Sequence, residues 1–207
     1  MNVKIVFDFH DIFVDSANAW KEVFLNITND NNAIKMYDKS ISKKEICKKY
    51  NLDYKDVEEE YRKILKPIEK NIEFAKNISK IYPIDIVSMA KKDRLLKDID
   101  KFKINYLFSN IYSKEEVKDR KDFLKQLSQK YDWLLFFNHE IDKVNLDENV
   151  IYFPINFQGD INKFEKISFT EHAKNKLIYN ELSDIYLQSI ANDTTEETEF
   201  LDKIFKK

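Results

Sequence analysis

Short apolar runs alternate with stretches whose apolar positions recur every three or four residues. The runs are Val3–Phe7, Ile84–Val87, Tyr106–Ser109, Trp133–Phe137 and Val150–Phe153. Each is almost continuously apolar, the signature of a strand buried on both faces. Strands separated by helical stretches predict an α/β fold, a Rossmann-like and mostly parallel sheet flanked by helices. The spacing breaks once. Residues between the first two strands read as helix throughout, in the pieces Ser16–Thr28, Ser42–Tyr50, Asp53–Leu65 and Pro67–Ile81. Ser42 with Glu45 forms a capping-box pattern, Asp53 suits an N-cap, and Pro67 suits a first turn. One crossover between parallel strands needs only one helix, so the surplus predicts a helical subdomain inserted after the first strand. The expected division is residues 1–15 with 82–207 as the α/β core and 16–81 as a helical cap. Further helical runs are expected over Lys118–Lys130, Thr170–Ala191 and Thr194–Phe205. In the second of these, Ala173, Leu177, Ile178, Leu182 and Ile185 share a face.

Composition narrows the function more than the fold. The chain has 207 residues, 43% of them hydrophobic and 14% aromatic, enough for a substantial core. Charged residues are abundant but balanced at net −2, which argues against a nucleic-acid binder. No apolar run reaches the ~18 residues of a membrane span. Met1 leads almost directly into the first strand, leaving no room for a signal peptide. The single cysteine, Cys47, forms no internal disulfide, and a reduced cytoplasmic setting is expected. There is one glycine, Gly159, so the Gly-rich phosphate loops of many nucleotide folds are absent.

The first strand runs into Asp8, and residues 4 to 16 read KIVFDFHDIFVDS. In open α/β sheets, ligands bind at the carboxyl edge of the strands. A carboxylate placed there can act as a nucleophile. His10 follows two residues later, and its imidazole can donate or accept a proton near neutral pH. The fourth run ends in Phe137, Asn138, His139, Glu140, Ile141 and Asp142, a second polar cluster at a strand end.

The stretch around Asp8 resembles the first motif of the haloacid dehalogenase superfamily, which runs DxDGTLxDS after an apolar strand. Asp8 matches the nucleophile, and Asp15 and Ser16 match the tail. His10 stands where family phosphatases carry an acid/base Asp, Asp11 replaces the Gly, and Ile12 replaces the Thr. The inserted helical region matches the family's type-1 cap position. The resemblance covers residues 3 to about 153 and implies further roles. Ser88, after the second strand, matches the second motif and would donate a hydrogen bond to a phosphoryl oxygen. Lys118, or else Lys121, would supply the cation of the third motif. At the fourth motif, usually GDxxxD, Phe137 replaces the Gly and Asn138 the first acid, while Asp142 keeps the second. Magnesium favours hard oxygen ligands, so Asp8, Asp142 and Asn138 would form a weakened Mg2+ site. A transition metal held by Asp8, His10, His139 and Asp142 is an alternative, since imidazole suits such ions. His172 is expected at the surface.

Two functions follow from the resemblance. In the first, the chain is an atypical hydrolase or phosphotransferase acting on a small phosphorylated metabolite, with Asp8 as nucleophile and His10 as acid/base. Dehalogenase-like and phosphonatase-like branches lack the second acid, which leaves carbon–halogen and carbon–phosphorus chemistry open. In the second, the changes at His10, Ile12, Phe137 and Asn138 mark a pseudoenzyme that binds a ligand or a partner. No nucleic acid or membrane is expected as partner. Trp20, Phe24 and Tyr54 are the cap aromatics that would face a substrate, although helical spacing also suits them to the cap's own core.

Overall fold

The computed structural model describes residues 3–138 and 150–154. The chain divides into two compact units, Met1–Ile12 with Glu69–Lys207, and Phe13–Ile68.

Among the described residues, the first unit is built on a parallel five-stranded sheet of order β3-β2-β1-β4-β5. The strands are β1 (Val3–Phe7), β2 (Ile84–Val87), β3 (Phe108–Tyr112), β4 (Trp133–Asn138) and β5 (Val150–Pro154). β1 is central, with Phe7 in register with Ile86 on one side and Phe137 on the other. Alternation along β1 sends its side chains to two different cores. Val6 joins Val87, Leu134, Phe136, Leu124 and Leu127 in one cluster. Phe7 stacks on Phe137 at 4.5 Å and meets the edge of Phe74 at 6.1 Å. A buried ion pair interrupts the apolar pattern, with Lys4 Nζ 2.7 Å from Asp85 Oδ1. The third strand begins at Phe108, later than the sequence pattern placed it. Asn105–Leu107 forms a 3-10 turn that leaves Tyr106 66% exposed, so the run's first aromatic is not a sheet residue.

The second unit is helical: α1 (Ser16–Thr28), α2 (Asn31–Asp38), α3 (Lys43–Lys49) and α4 (Tyr54–Ile64). Its caps explain its boundaries. Asp15 accepts from the Asn18 N–H, Ser42 and Glu45 close a reciprocal capping box, and Asp53 accepts from the N–H groups of Lys55 and Asp56. The sequence pattern did not separate α2, whose start is fixed by Asp30 accepting from the Asn32 N–H. Trp20 is the centre of this unit's core, stacked on Tyr61 at 4.4 Å and beside Phe24 at 5.6 Å. Trp20 and Phe24 are therefore core residues of the unit, and Tyr54 is half-buried against Trp20. The unit's two ends pair with one another. Val14 bridges Pro67, the Asp15 N–H donates to Lys66 O at 2.9 Å, and the Ile68 N–H donates to Phe13 O at 2.9 Å.

That pairing moves the unit's limits from the expected 16–81 to 13–68. Pro67 sits in the bridge rather than in a helical turn, and the next helix, α5 (Glu69–Ser79), belongs with the sheet through Phe74. α6 (Lys92–Phe102) joins β2 to β3, and α7 (Arg120–Ser128) joins β3 to β4. The expected helices over 170–191 and 194–205 lie outside the described residues. Five non-glycine residues adopt positive φ among those described: Asp11 (62°), Asn29 (48°), Ser40 (60°), Asn51 (53°) and Lys103 (55°).

Candidate active site

The order of strands reverses beside β1. The chain goes from β1 to β2 and β3 on one side, then crosses to β4 on the other. Such a switch point leaves a crevice at the carboxyl edge. Asp8 leaves β1 at that crevice, Asn138 ends β4 next to it, and Ser88 follows β2 on the opposite flank. The Asp8 N–H donates to Phe137 O at 2.9 Å, which carries the sheet pairing one residue past the strand.

Both carboxylate oxygens of Asp8 are engaged. Oδ1 accepts from the Phe9 N–H at 2.7 Å. Oδ2 accepts from Arg120 Nη2 at 3.3 Å, with the two side chains only 6% and 16% exposed. Charge-assisted contacts of this kind fix the orientation of a carboxylate. Arg120 opens α7, where Asp119 caps the helix by accepting from the Asp122 N–H at 2.9 Å. Its guanidinium also lies 6.0 Å from the Phe136 ring centroid. The cation at Asp8 is thus Arg120, not Lys118 or Lys121, both of which are exposed. In a chain this rich in lysine the motif position is ambiguous. The readable signal was Asp119, whose capping role fixes where the helix starts and so which residue faces the sheet edge.

Ser88 is buried, with its N–H on Tyr112 O at 2.9 Å. Its Oγ accepts from the Ala90 N–H at 3.3 Å, and the same hydroxyl can still donate. The neighbouring loop is secured by charge. Lys114 N–H donates to Ala90 O at 2.9 Å, and Ser113 is held by Glu115 and Glu116. The Lys92 ammonium and the Ser113 hydroxyl and N–H hold the Glu116 carboxyl down at about 2.

The loop after Asp8 is not loose. Buried Asn71 on α5 donates to Ile12 O at 2.6 Å, and the Ile12 N–H donates to Phe9 O at 3.3 Å. Asn71 therefore braces the loop, a role invisible in sequence because it depends on α5 packing with the sheet. His10 is held too, its Nε2 3.1 Å from Asp98 Oδ2 on α6.

Asn138 is fully buried, and among the described residues neither its Oδ1 nor its Nδ2 has a hydrogen-bond partner. A buried amide left without partners is costly and is a feature of sites that complete themselves with a ligand or water. Among the described residues no cluster of three His, Cys, Asp or Glu side chains stands ready for a metal. Asp142, His139 and His172 lie outside the described residues. No described helix is long and apolar enough to cross a membrane.

No protein-family model matches the chain, and no curated protein matches it. Solved structures do. A hydrolase from Streptococcus pneumoniae TIGR4 superposes with a TM-score of 0.58 at 14% identity, over 80% of this chain and 99% of its own. L-2-haloacid dehalogenase from Xanthobacter autotrophicus, solved with chloropropionic acid covalently bound, gives 0.53 at 11% identity, over 67% and 70%. The HAD-hydrolase YfnB from Bacillus subtilis, solved bound to magnesium, gives 0.51 at 14% identity, over 67% and 80%. The arrangement of strands and helices in this chain is the one those enzymes share.

Proposed function

Taking the haloacid dehalogenase-like fold as established, we propose that this chain is a hydrolase or phosphotransferase that works through Asp8 on a small phosphorylated metabolite. The observation that carries the reading is the Asp8 carboxylate itself, buried at the central strand's end and held between a backbone N–H and the Arg120 guanidinium. That clamp orients a nucleophile and places positive charge where phosphoryl oxygens would arrive. A carboxylate oxygen of Asp8 attacks phosphorus, and the bond to the leaving oxygen breaks with its electron pair on that oxygen. His10 delivers the proton that makes it an alcohol. Water then attacks the same phosphorus while His10 takes its proton, which releases phosphate and restores the Asp8 carboxylate. Ser88 and Arg120 bind the phosphoryl oxygens through both steps.

Magnesium fits the residues present, because Asn138 Oδ1 is a buried acceptor with no partner among the described residues. Asp8 and Asn138 would hold the ion, with Asp142 as a further carboxylate, and the ion would supply neutralisation of phosphoryl charge. The neutral amide weakens that site relative to one with a third carboxylate. The same amide is the observation that favours the second reading, a ligand-binding pseudoenzyme.

Turnover of a panel of small phosphomonoesters with magnesium, native chain against Asp8→Asn, separates the two. Turnover that disappears in the variant supports the hydrolase. Equal background rates in two folded proteins would leave the binding module.

A further inference from the structure

His10 does not stand alone, and its partner comes from a distant element. Asp98 lies on α6 between Leu95 and Ile99, all three buried, on a face that would ordinarily be apolar throughout. A fully buried carboxylate is costly unless it is compensated. Its compensation is specific. Asp98 Oδ2 accepts from His10 Nε2 at 3.1 Å and lies 3.7 Å from Arg94 Nε one turn earlier. Lys101, on the same helix, also feels its charge. The His10 side chain is 13% exposed and that of Asp98 is 0%.

The contact divides the imidazole: Nε2 is committed to a carboxylate that only accepts, so Nε2 carries the hydrogen. Nδ1 is left as the nitrogen available for chemistry. A carboxylate that fixes the tautomer and orientation of a histidine in this way is the logic of the Asp–His pair in unrelated hydrolases. Arg94 balances the buried charge, so Asp98 can direct the ring without being left uncompensated. We infer that Asp98 is the positioning residue for His10: it fixes the Nε2–H tautomer and so aims Nδ1 as the group that exchanges a proton with the leaving oxygen.

This rests on the hydrolase reading for its catalytic half and on geometry alone for its tautomer half, so the test has two arms. The first uses no turnover. Nitrogen-15 imidazole spectra of the native chain, with His10 assigned by loss of its signals in His10→Gln, should show His10 as a single Nε2–H tautomer. Asp98→Asn should shift it to a mixture. Identical tautomer populations in both would overturn the inference.

The second arm compares p-nitrophenyl phosphate, whose leaving group needs little protonation, with an alkyl phosphomonoester, whose leaving group needs much. Asp98→Asn should lower kcat on the alkyl ester about 100-fold with KM little changed, and on the aryl ester by far less, since acid–base assistance is worth about 100-fold or more where it is needed. Equal losses on both esters would assign Asp98 a purely structural role and overturn the positioning one. A tautomer shift in a native chain that turns over neither ester would overturn the catalytic half together with the hydrolase reading and leave the contact standing. If Asp98→Asn unfolds, Asp98→Glu keeps the charge but moves the oxygen, and the same two readouts apply.

Discussion

Removing the charge of Lys4 tests the sheet most sharply. Lys4 Nζ sits 2.7 Å from Asp85 Oδ1, with the side chains 3% and 0% exposed. The same oxygen accepts from Asn110 Nδ2 at 2.9 Å, while Asp85 Oδ2 is buried without a hydrogen-bond partner among the described residues. At that separation, and at the effective dielectric of about 20 that suits protein sites, the attraction is about 6 kcal/mol before desolvation is subtracted. Breaking one side of a buried pair costs ~3–5 kcal/mol, because the other charge stays buried. Lys4→Met keeps the stem that packs in the sheet and removes only the ammonium. Urea unfolding followed by circular dichroism should therefore show a loss of about 3–5 kcal/mol, a large part of the ~5–15 kcal/mol a domain holds. The double variant Lys4→Met/Asp85→Asn should recover a good part of that loss, since an amide in place of the carboxylate removes the uncompensated charge. A loss under about 1 kcal/mol for Lys4→Met, the value of an exposed pair, would refute the reasoning. So would a double variant as damaged as the sum of its parts.

Three further outcomes are expected. Arg120→Met should lower kcat on phosphomonoesters about 100-fold or more while Arg120→Lys retains part of it, because a cation aimed at developing charge is worth that much; steady-state kinetics check both. Glu116, held near 2 against an ordinary value of 4.5, contributes stability that is full above pH ~4.5 and is lost as pH falls toward 2. With its side chain 35% exposed, solvent screening reduces the contribution to about 1 kcal/mol, so Glu116→Gln should lose that much at pH 7 and nothing near pH 2 in denaturant titrations. Cys47 is buried in the helical unit and its thiol is pushed up by that burial, so it should react with a disulfide reagent at pH 8 only slowly in the native protein and at once in denaturant.

Where local pattern and tertiary context agreed, the sequence was sufficient. β1, β2 and the Ser42–Glu45 capping box read directly because a continuous apolar run and a reciprocal cap have few other meanings. Asp8 was legible for the same reason, as a charge immediately after a buried strand. Long-range partners were not. Arg120, Asn71 and Asp98 reach the Asp8 loop from three different helices, and, apart from the Asp119 cap beside Arg120, nothing within a few residues of each distinguishes it from a solvated polar side chain. The end of the helical insert was misplaced because Pro67 satisfies the local rule for a helix start. The antiparallel bridge to Val14, far away in sequence, decided otherwise.

The left-handed residues carry a conformational cost that substitution could return. Positive φ is the conformation that glycine adopts without cost, and other residues adopt at about 1–2 kcal/mol each, Asn and Asp at the low end. Here those positions hold Asp11, Asn29, Ser40, Asn51 and Lys103, in a protein whose one glycine is Gly159. Glycine at Lys103 or Ser40 would return some of that cost, in turns whose only demand is a backbone angle. Asp11 stands apart, because its strain lies in the loop between Asp8 and Ile12, where a looser backbone would cost the Asp8 carboxylate its fixed surroundings.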